Sequence, residues 1–236
     1  MDWLLDYFRF KKQVKKELPS TLHFLNKRPL PKNVKIKLEE EGQTKLLTKA
    51  EFEEKFEVEL LQGLYFNHLK ELEKIVQNCI QAWKIANISA LERWLGAYLE
   101  EELTNGTFGP VYLKWIDPYK GYGLFADQDL PKDTYIGEYA GLVRKHKKGL
   151  DEANAYCFEY PVYFNGKTPF TIDAKEEGNL LRFINHSDRP NLHLKPVYSQ
   201  GIMHIILRTK EVVAKGTELT YDYGPTYWKK RPKPIS

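Results

Sequence analysis

The spacing of apolar residues predicts helices through the first half of the chain. A short amphipathic helix at the start ends before Pro19, and a connector punctuated by prolines covers 19–31. Helical spacing is kept throughout 59–85, which predicts one long amphipathic helix. His68 and Cys79 lie on its apolar stripe, so both are interpreted as core residues rather than as ligands.

Three local signals complete the prediction for this half. Residues 34–38 alternate between apolar side chains and lysine, which predicts a short strand. Thr48 is followed three residues later by Glu51, and this capping box predicts that a helix begins there. A shorter helix over 91–99 ends in an acidic run and an Asn-Gly turn.

The pattern changes after Gly106 to short β-type runs separated by glycine and proline, which predicts a mostly β domain. The runs cover 111–116, 122–126, 135–143, 156–162, 203–209 and 218–223. The predicted fold class is therefore α+β. It has a helical region of unknown role over 1–105, a mostly β domain over 106–228 and a basic tail over 229–236.

Composition indicates a globular protein, because 42% of the 236 residues are hydrophobic and 29% are charged. Two cysteines, Cys79 and Cys157, exclude a disulfide framework and a Cys-rich zinc site by their number. Neither a membrane-spanning apolar window nor the basic region of a secretory signal is present. We therefore expect a cytoplasmic protein without membrane contact, and export through a system that reads other signals stays open.

The net charge of +4 is a property of the C-terminal tail. Residues 1–105 hold 17 basic and 17 acidic side chains, and the last eight residues carry four basic groups without an acid. A solvated tail is the more common meaning of such a run, although it also fits a nuclear-import pattern. Because the folded body is neutral, we expect no direct nucleic-acid binding by the fold.

Three strings carry the candidate chemistry. They are Lys-Gly-Tyr-Gly-Leu-Phe-Ala at 120–126, Arg-Phe-Ile-Asn-His-Ser-Asp-Arg-Pro-Asn at 182–191 and Glu-Leu-Thr-Tyr-Asp-Tyr-Gly at 218–224. Alone, the first is weak, since two glycines usually mean a turn, and a single histidine is more often structural than catalytic. In this order and spacing, the three resemble the SET domain of protein lysine methyltransferases over about 108–228.

The resemblance implies a fold in which the Asn-His segment is threaded beneath the Tyr-Asp-Tyr segment, like a pseudoknot. It also implies that S-adenosylmethionine and the substrate lysine enter from opposite faces. Tyr223 matches the catalytic tyrosine, and Tyr156 and Tyr221 match tyrosines of the methyl-transfer channel. The residues of these strings that are assigned to cofactor binding are Lys120, Gly121, Tyr122, Gly123, Arg182, Asn185 and His186. Because the zinc-binding flank of many relatives is missing, Trp228, just past the last string, is added as a lid over the adenine, with a simple hydrophobic plug as the alternative.

The chemistry of lysine explains why aromatic residues line such a site. Lysine attacks only as the neutral amine, and with a reference pKa of about 10.4 this form costs about 4.6 kcal/mol at pH 7. An apolar channel beside a sulfonium cation disfavours the ammonium form, whereas a carboxylate would stabilise it. Neither a metal nor a covalent enzyme intermediate is needed. A hydroxyl at Tyr221 takes up space near the amine, which favours mono- and dimethylation.

The scarcity of cysteine separates the chain from zinc-flanked relatives. Without such flanks, the chain is similar to the bacterial and viral branch of the family. A protein with an exposed lysine is the expected substrate: a host histone, a bacterial histone-like protein, another protein, or the enzyme itself. Delivery to a host nucleus, as a bacterial effector that acts on chromatin, and a homodimer are kept as alternatives. A SET-fold scaffold that has lost catalysis is the competing hypothesis, which the presence of Tyr223 and of the Asn-His pair disfavours.

Overall fold

Capping boxes start two of the helices in the computed structural model, which describes residues 2–85, 87–162, 169–229 and 231. The Thr48 hydroxyl accepts from the Glu51 N–H while the Glu51 carboxylate accepts from the Thr48 N–H, as predicted, and Ser89 pairs with Glu92 in the same way. The helices are α1 Asp2–Thr21, α2 Lys49–Phe56, α3 Leu69–Lys84, α4 Ala90–Tyr98, α5 Glu100–Asn105, α6 Leu150–Ala153 and α7 Pro225–Trp228, with 3₁₀ helices at Leu22–Leu25 and Leu180–Phe183.

The strands form several small sheets rather than one large one. They are β1 Lys35–Glu40, β2 Gln43–Thr48, β3 Glu59–Leu60, β4 Val111–Asp117, β5 Gly121–Ala126, β6 Tyr135–Glu138, β7 Leu142–Lys145, β8 Cys157–Glu159, β9 Phe170–Asp173, β10 Glu177–Gly178, β11 Asn185–His186, β12 Leu192–Ser199, β13 Ile202–Thr209 and β14 Thr220–Tyr221. The sheet orders are β2-β1-β4-β5, β12-β13-β6, β7-β9-β8, β3-β10 and β11-β14. The predicted mixture of helix and strand is confirmed.

The prediction that the first helix ends before Pro19 is wrong, because α1 continues to Thr21. A proline in the last turn removes only its own N–H from the helical hydrogen bonds. The hydroxyls of Ser20 and Thr21 donate to the carbonyls of Glu17 (2.6 Å) and Leu18 (2.8 Å). These bonds satisfy acceptors that the helix end leaves free.

The single long helix predicted over 59–85 is also wrong. Glu59–Leu60 is the strand β3, which pairs in parallel with β10, and α3 begins only at Leu69. His68 precedes α3 and is exposed, so the core assignment fails for it, whereas Cys79 is fully buried as predicted. The apolar residues before His68 are buried by pairing with distant strands, a pattern that local periodicity does not distinguish from a helix.

The region before residue 106 is not only helical, and it shares its core with the region after it. β1, β2 and β3 lie in it, and β1 pairs in parallel with β4, with Leu38 opposite Leu113. Residues of α3 and of β13 belong to one buried hydrophobic cluster. A Cβ on Gly96 of α4 would lie 2.0 Å from the Tyr198 carbonyl oxygen, so α4 packs closely on β12. The domain boundary near 105 stays a prediction.

In the second half, most predicted strands exist with changed bounds. The run over 135–143 divides into β6 and β7 because the chain passes from one sheet to another there, with the Tyr139 N–H donating to the Ile205 carbonyl (2.8 Å). The strands β9, β10, β11 and β12 of this half were not predicted, and neither were β2 and β3 of the first half. Within the described residues, no helix is both long and apolar enough to cross a membrane. Most of the predicted basic tail lies outside the described residues.

Candidate active site

A short parallel pairing between β11 and β14 brings the two C-terminal strings together. Asn185 lies opposite Thr220 and His186 opposite Tyr221, and the Ser187 N–H donates to the Tyr221 carbonyl (3.2 Å). Side chains from residues more than thirty positions apart therefore meet at one place. The threaded crossing implied by the resemblance stays a prediction.

Asn185 anchors a polar network on one side of this pair. Its amide Nδ2 donates to Glu218 Oε1 (2.9 Å) and to the Tyr122 carbonyl (3.3 Å). The Lys120 ammonium donates to the other oxygen of Glu218 (3.3 Å). A Cβ on Gly123 would lie 3.1 Å from Asn185 Nδ2 and 3.0 Å from Glu218 Oε1, so this close approach requires glycine.

His186 is held in one tautomer beside that network. The Tyr223 N–H donates to Nδ1 (3.2 Å), which makes Nδ1 an acceptor and places the proton of the neutral ring on Nε2. Nε2 then donates to Asp188 Oδ1 (3.2 Å). The predicted histidine is thus bonded at both nitrogens, and it links the Asn-His string to the Tyr-Asp-Tyr string.

Four aromatic rings pack beside His186. The Tyr223 ring centroid lies 4.8 Å from that of Tyr221, 4.5 Å from Tyr227 and 5.9 Å from Trp228. The Tyr223 hydroxyl donates to the Ile184 carbonyl (2.9 Å). Burial raises the pKa of both Tyr221 and Tyr223 well above the ordinary value of a tyrosine. Both hydroxyls therefore stay protonated and uncharged at neutral pH.

Tyr221 and Tyr223 line a cavity of about 640 Å³. Tyr139, Phe158 and Ile205 add apolar surface around them, and the rings of Phe158 and Tyr221 lie 6.0 Å apart. None of the eight predicted cofactor-binding residues lines this cavity. The predicted catalytic and cofactor residues thus separate into two groups, one on the cavity side and one at the polar network.

Tyr156 and Arg182 lie together next to the cavity, which the neighbouring Ala155 and Cys157 line. The Arg182 guanidinium stacks over the Tyr156 ring at 4.0 Å, and its Nη2 donates to the Lys175 carbonyl (2.9 Å). Tyr156 does not line the cavity, and its carbonyl accepts a hydrogen bond from the Tyr139 hydroxyl (2.9 Å). Tyr156 thus contacts Arg182 of the predicted cofactor group through its ring and Tyr139 of the cavity through its carbonyl, and its assignment to the methyl-transfer channel stays a prediction.

Tyr122 contributes its backbone and not its ring to the polar network. Its hydroxyl donates to Glu40, and its ring packs edge to face against Phe56 at 4.9 Å. Gly121 has a φ of +70°, and a Cβ there would meet nothing within 4 Å, so open space adjoins the backbone at this point. Trp228 lies at the other end of the group, where its ring centroid is 4.8 Å from that of His186.

Several cavity residues were not predicted. Tyr139 and Phe158 lie in the predicted β runs 135–143 and 156–162, and Phe158 is two residues from the candidate Tyr156. Cys157 also lines the cavity, and burial raises the pKa of its thiol to about 12. Ala82, Ile88 and Glu92 come from the helical half, and no local pattern connects them with the three strings.

Residues 121–224 match the family model described as "SET domain". This segment is a SET domain. It contains all of the candidate site residues except Lys120 and Trp228, each of which lies within four residues of it. The SET domain is therefore the part of the chain that assembles both the polar network and the aromatic end of the cavity.

Curated relatives of the SET domain are histone-lysine N-methyltransferases. SETD2 of Homo sapiens is 37% identical over 107 residues, which cover 44% of this chain and 4% of that protein. CLF of Arabidopsis thaliana is 33% identical over 125 residues, which cover 50% of this chain and 14% of that protein. The chain thus spans a small part of the length of the relatives it matches.

A solved structure described as ctPRC2 in an autoinhibited conformation bound to S-adenosylmethionine is also similar to this chain. The similarity covers 52% of this chain and 16% of that one, at 27% identity and a TM-score of 0.46.

Proposed function

We propose that the chain is an S-adenosylmethionine-dependent protein-lysine N-methyltransferase. One observation carries the proposal: the uncharged hydroxyls of Tyr221 and Tyr223 lie at the buried aromatic end of a cavity, beside the Asn185 and His186 network. A lysine side chain that enters this end loses water, which favours its neutral, nucleophilic amine. The names of the curated relatives support the same reaction.

The residues opposite the cavity fit the cofactor. Two buried donors there, Arg182 Nε and Trp228 Nε1, have no hydrogen-bond partner among the described residues. Such donors are costly unless a ligand satisfies them. Gly121 leaves open space beside the backbone, and the Trp228 ring offers a stacking surface. When bound, S-adenosylmethionine supplies a methyl group on a sulfonium centre.

The tyrosines orient the amine instead of removing its proton. Because burial raises the pKa of Tyr223, its hydroxyl is no base at neutral pH, and its proton is held by the Ile184 carbonyl. The hydroxyl oxygen then remains available to accept a hydrogen bond from the amine. The proton of the ammonium must leave to water before the side chain reaches the aromatic end.

Histones or basic histone-like proteins are the proposed substrates. The curated relatives carry this specificity in their names, and acidic residues such as Glu92 and Glu159 line the cavity. A nonhistone protein in the producing cell is the second candidate within the same reaction class. The zinc-free bacterial or viral branch, a homodimer and delivery to a host nucleus stay predictions.

Tyr221 is proposed to limit the product to mono- and dimethyl-lysine. Tyr221 lines the cavity, and its ring centroid lies 4.8 Å from that of Tyr223. We expect Tyr221→Phe to raise the methylation state by one methyl group, because the space of the hydroxyl becomes free. Mass spectrometry of a singly lysine-containing product peptide measures this, and an unchanged state in the variant contradicts the assignment.

Incubation with radiolabelled S-adenosylmethionine tests the activity itself. Core histones, basic bacterial proteins and the enzyme alone serve as substrates for the wild type and for Tyr223→Phe. We expect the variant to lose about a hundredfold in kcat, as when one preorganised hydrogen-bonding group is removed from an active site. Calorimetry should show unchanged cofactor binding in the variant. If neither protein labels any substrate while both still bind the cofactor, the result favours the catalytically inactive scaffold.

A further inference from the structure

One wall of the cavity comes from outside the SET domain. Ala82 of α3, Asn87 and Ile88 of the following loop, and Glu92 of α4 line it. These residues lie 29 or more positions before residue 121, where the SET match begins. The helical half of the chain therefore shapes the cavity directly.

This wall is held rigidly in place. Ile88 is 2% exposed, and its carbonyl accepts from Arg93 Nη1 (2.7 Å). The Glu92 carboxylate accepts from the Ser89 N–H (2.5 Å) in the capping box that starts α4. Close packing of Gly96 against the Tyr198 backbone then fixes α4 on β12. A fixed wall can discriminate between ligands by shape and charge without reorganising.

The volume of the cavity leaves room for more than the target lysine. About 640 Å³ is several times what one lysine side chain fills, and the tyrosine cluster occupies only one end. Residues next to the lysine in the substrate must therefore lie along the remaining walls. On the helical wall, the charged residue that they meet is Glu92.

The walls of the cavity differ in charge. Glu92 is acidic on the helical wall, whereas the SET domain and the segment that follows it contribute both acidic residues, Glu152 and Glu159, and the basic groups of His146, Lys229 and Arg231. The nearby carboxylate of Asp151 is already paired with Arg144 at 2.6 Å, and this ion pair is largely buried. An acidic group on one wall selects a positively charged neighbour by charge complementarity.

We propose that Ala82, Asn87, Ile88 and Glu92 form the specificity wall of the enzyme, and that Glu92 is a specificity-determining residue that favours arginine or lysine beside the target lysine. The inference rests on the proposed methyltransferase function and deepens it, because it assigns the selection of the substrate to the helical half. Ala82 and Ile88 supply the apolar part of the same wall, against which the stem of such a side chain packs.

Glu92→Gln isolates the charge. Glutamine at the third helical position also completes a capping box, so α4 keeps its start while the negative charge is removed. Glu51→Gln is the matched control, because Glu51 makes the same capping box with Thr48 in α2 and does not line the cavity. Both variants should keep the melting temperature of the wild type to within a few degrees.

The peptide substrates are synthetic, contain a single central lysine and carry arginine, glutamine or glutamate at each neighbouring position. Radiolabelled S-adenosylmethionine is the second substrate. We expect the wild type and Glu51→Gln to prefer arginine over glutamine at one position by about fivefold in kcat/KM. Glu92→Gln should lose this preference and use the arginine and glutamine peptides with equal kcat/KM, because the charge that selects arginine is gone.

A preference for arginine that survives in Glu92→Gln, or that Glu51→Gln removes equally, overturns the inference and leaves the methyltransferase function standing. If the wild type labels neither the peptides nor intact histones while calorimetry shows cofactor binding, the proposed function fails and the inference fails with it.

Discussion

The two sides of the β11–β14 pair solve opposite physical problems with neighbouring residues. On the network side, Asn185, Glu218 and Lys120 are joined by hydrogen bonds that hold polar groups in fixed positions. On the cavity side, Tyr221 and Tyr223 present buried aromatic surface and uncharged hydroxyls. The first arrangement suits a charged, polar cofactor, and the second suits an amine that must lose its charge. The pairing that lies between these two arrangements is only two residues long on each strand.

The pH dependence of the reaction tests the cavity side most strongly. We expect kcat/KM to rise about tenfold per pH unit between about pH 7 and pH 9, because the substrate ammonium, with a reference pKa of about 10.4, loses its proton. Since burial raises the pKa of Tyr221 and Tyr223, their ionisation adds no loss in this range. Initial rates at saturating cofactor measure the profile, and a bell shape centred near pH 7 would contradict it.

Asn185→Ala tests the network side. The variant loses both hydrogen bonds of the Asn185 amide, and we expect cofactor affinity to fall about ten- to hundredfold. Asn191→Ala is the control, because Asn191 donates to the Glu218 carbonyl (2.8 Å) and accepts from the Thr220 N–H (2.9 Å).

Both asparagine variants should lower the free energy of unfolding by about 1–3 kcal/mol. Calorimetric titration with S-adenosylmethionine then separates them. Equal loss of cofactor affinity in Asn191→Ala would mean that the network only stabilises the fold.

Two neighbouring residues of α7 sharpen the comparison, since they serve different sides. Trp228 packs against His186 and does not line the cavity, whereas Tyr227 does line it. We expect Trp228→Ala to weaken cofactor binding about tenfold, a cost of about 1.4 kcal/mol, and to leave the substrate KM unchanged. Tyr227→Ala should raise the substrate KM and leave the cofactor Kd unchanged. Cofactor affinity that is unaffected by Trp228→Ala would make Trp228 a hydrophobic plug.

Local chemistry in the sequence predicted part of the fold and most of the site. The Thr48 capping box and the burial of Cys79 followed from a few neighbouring residues, and both are confirmed. The three strings placed Tyr221, Tyr223, Asn185 and His186 correctly as one assembly, because each string carries its own pattern. The roles assigned to these residues stay predictions.

Predictions failed where distant segments decide the local structure. Leu60 is fully buried by its parallel neighbour β10 and not by a helix, and His68 lies at a helix start instead of in the core. The contact between Tyr156 and Arg182 was not predicted, because it depends on how the chain before β8 and the 3₁₀ helix Leu180–Phe183 pack. No pattern within either segment encodes such a contact.

The sequence by itself determined the SET strings, the tyrosines available to the site and the zero net charge of the chain before its basic tail, because these depend on residue types and short spacings. Only the tertiary structure decided which tyrosines face the cavity and that α3, α4 and the loop between them form one of its walls. The physical reason is the range of the interactions. Capping and amphipathic spacing act within a few residues, whereas β1–β4 pairing, the docking of α4 on β12 and the burial of Tyr221 join segments far apart in the chain.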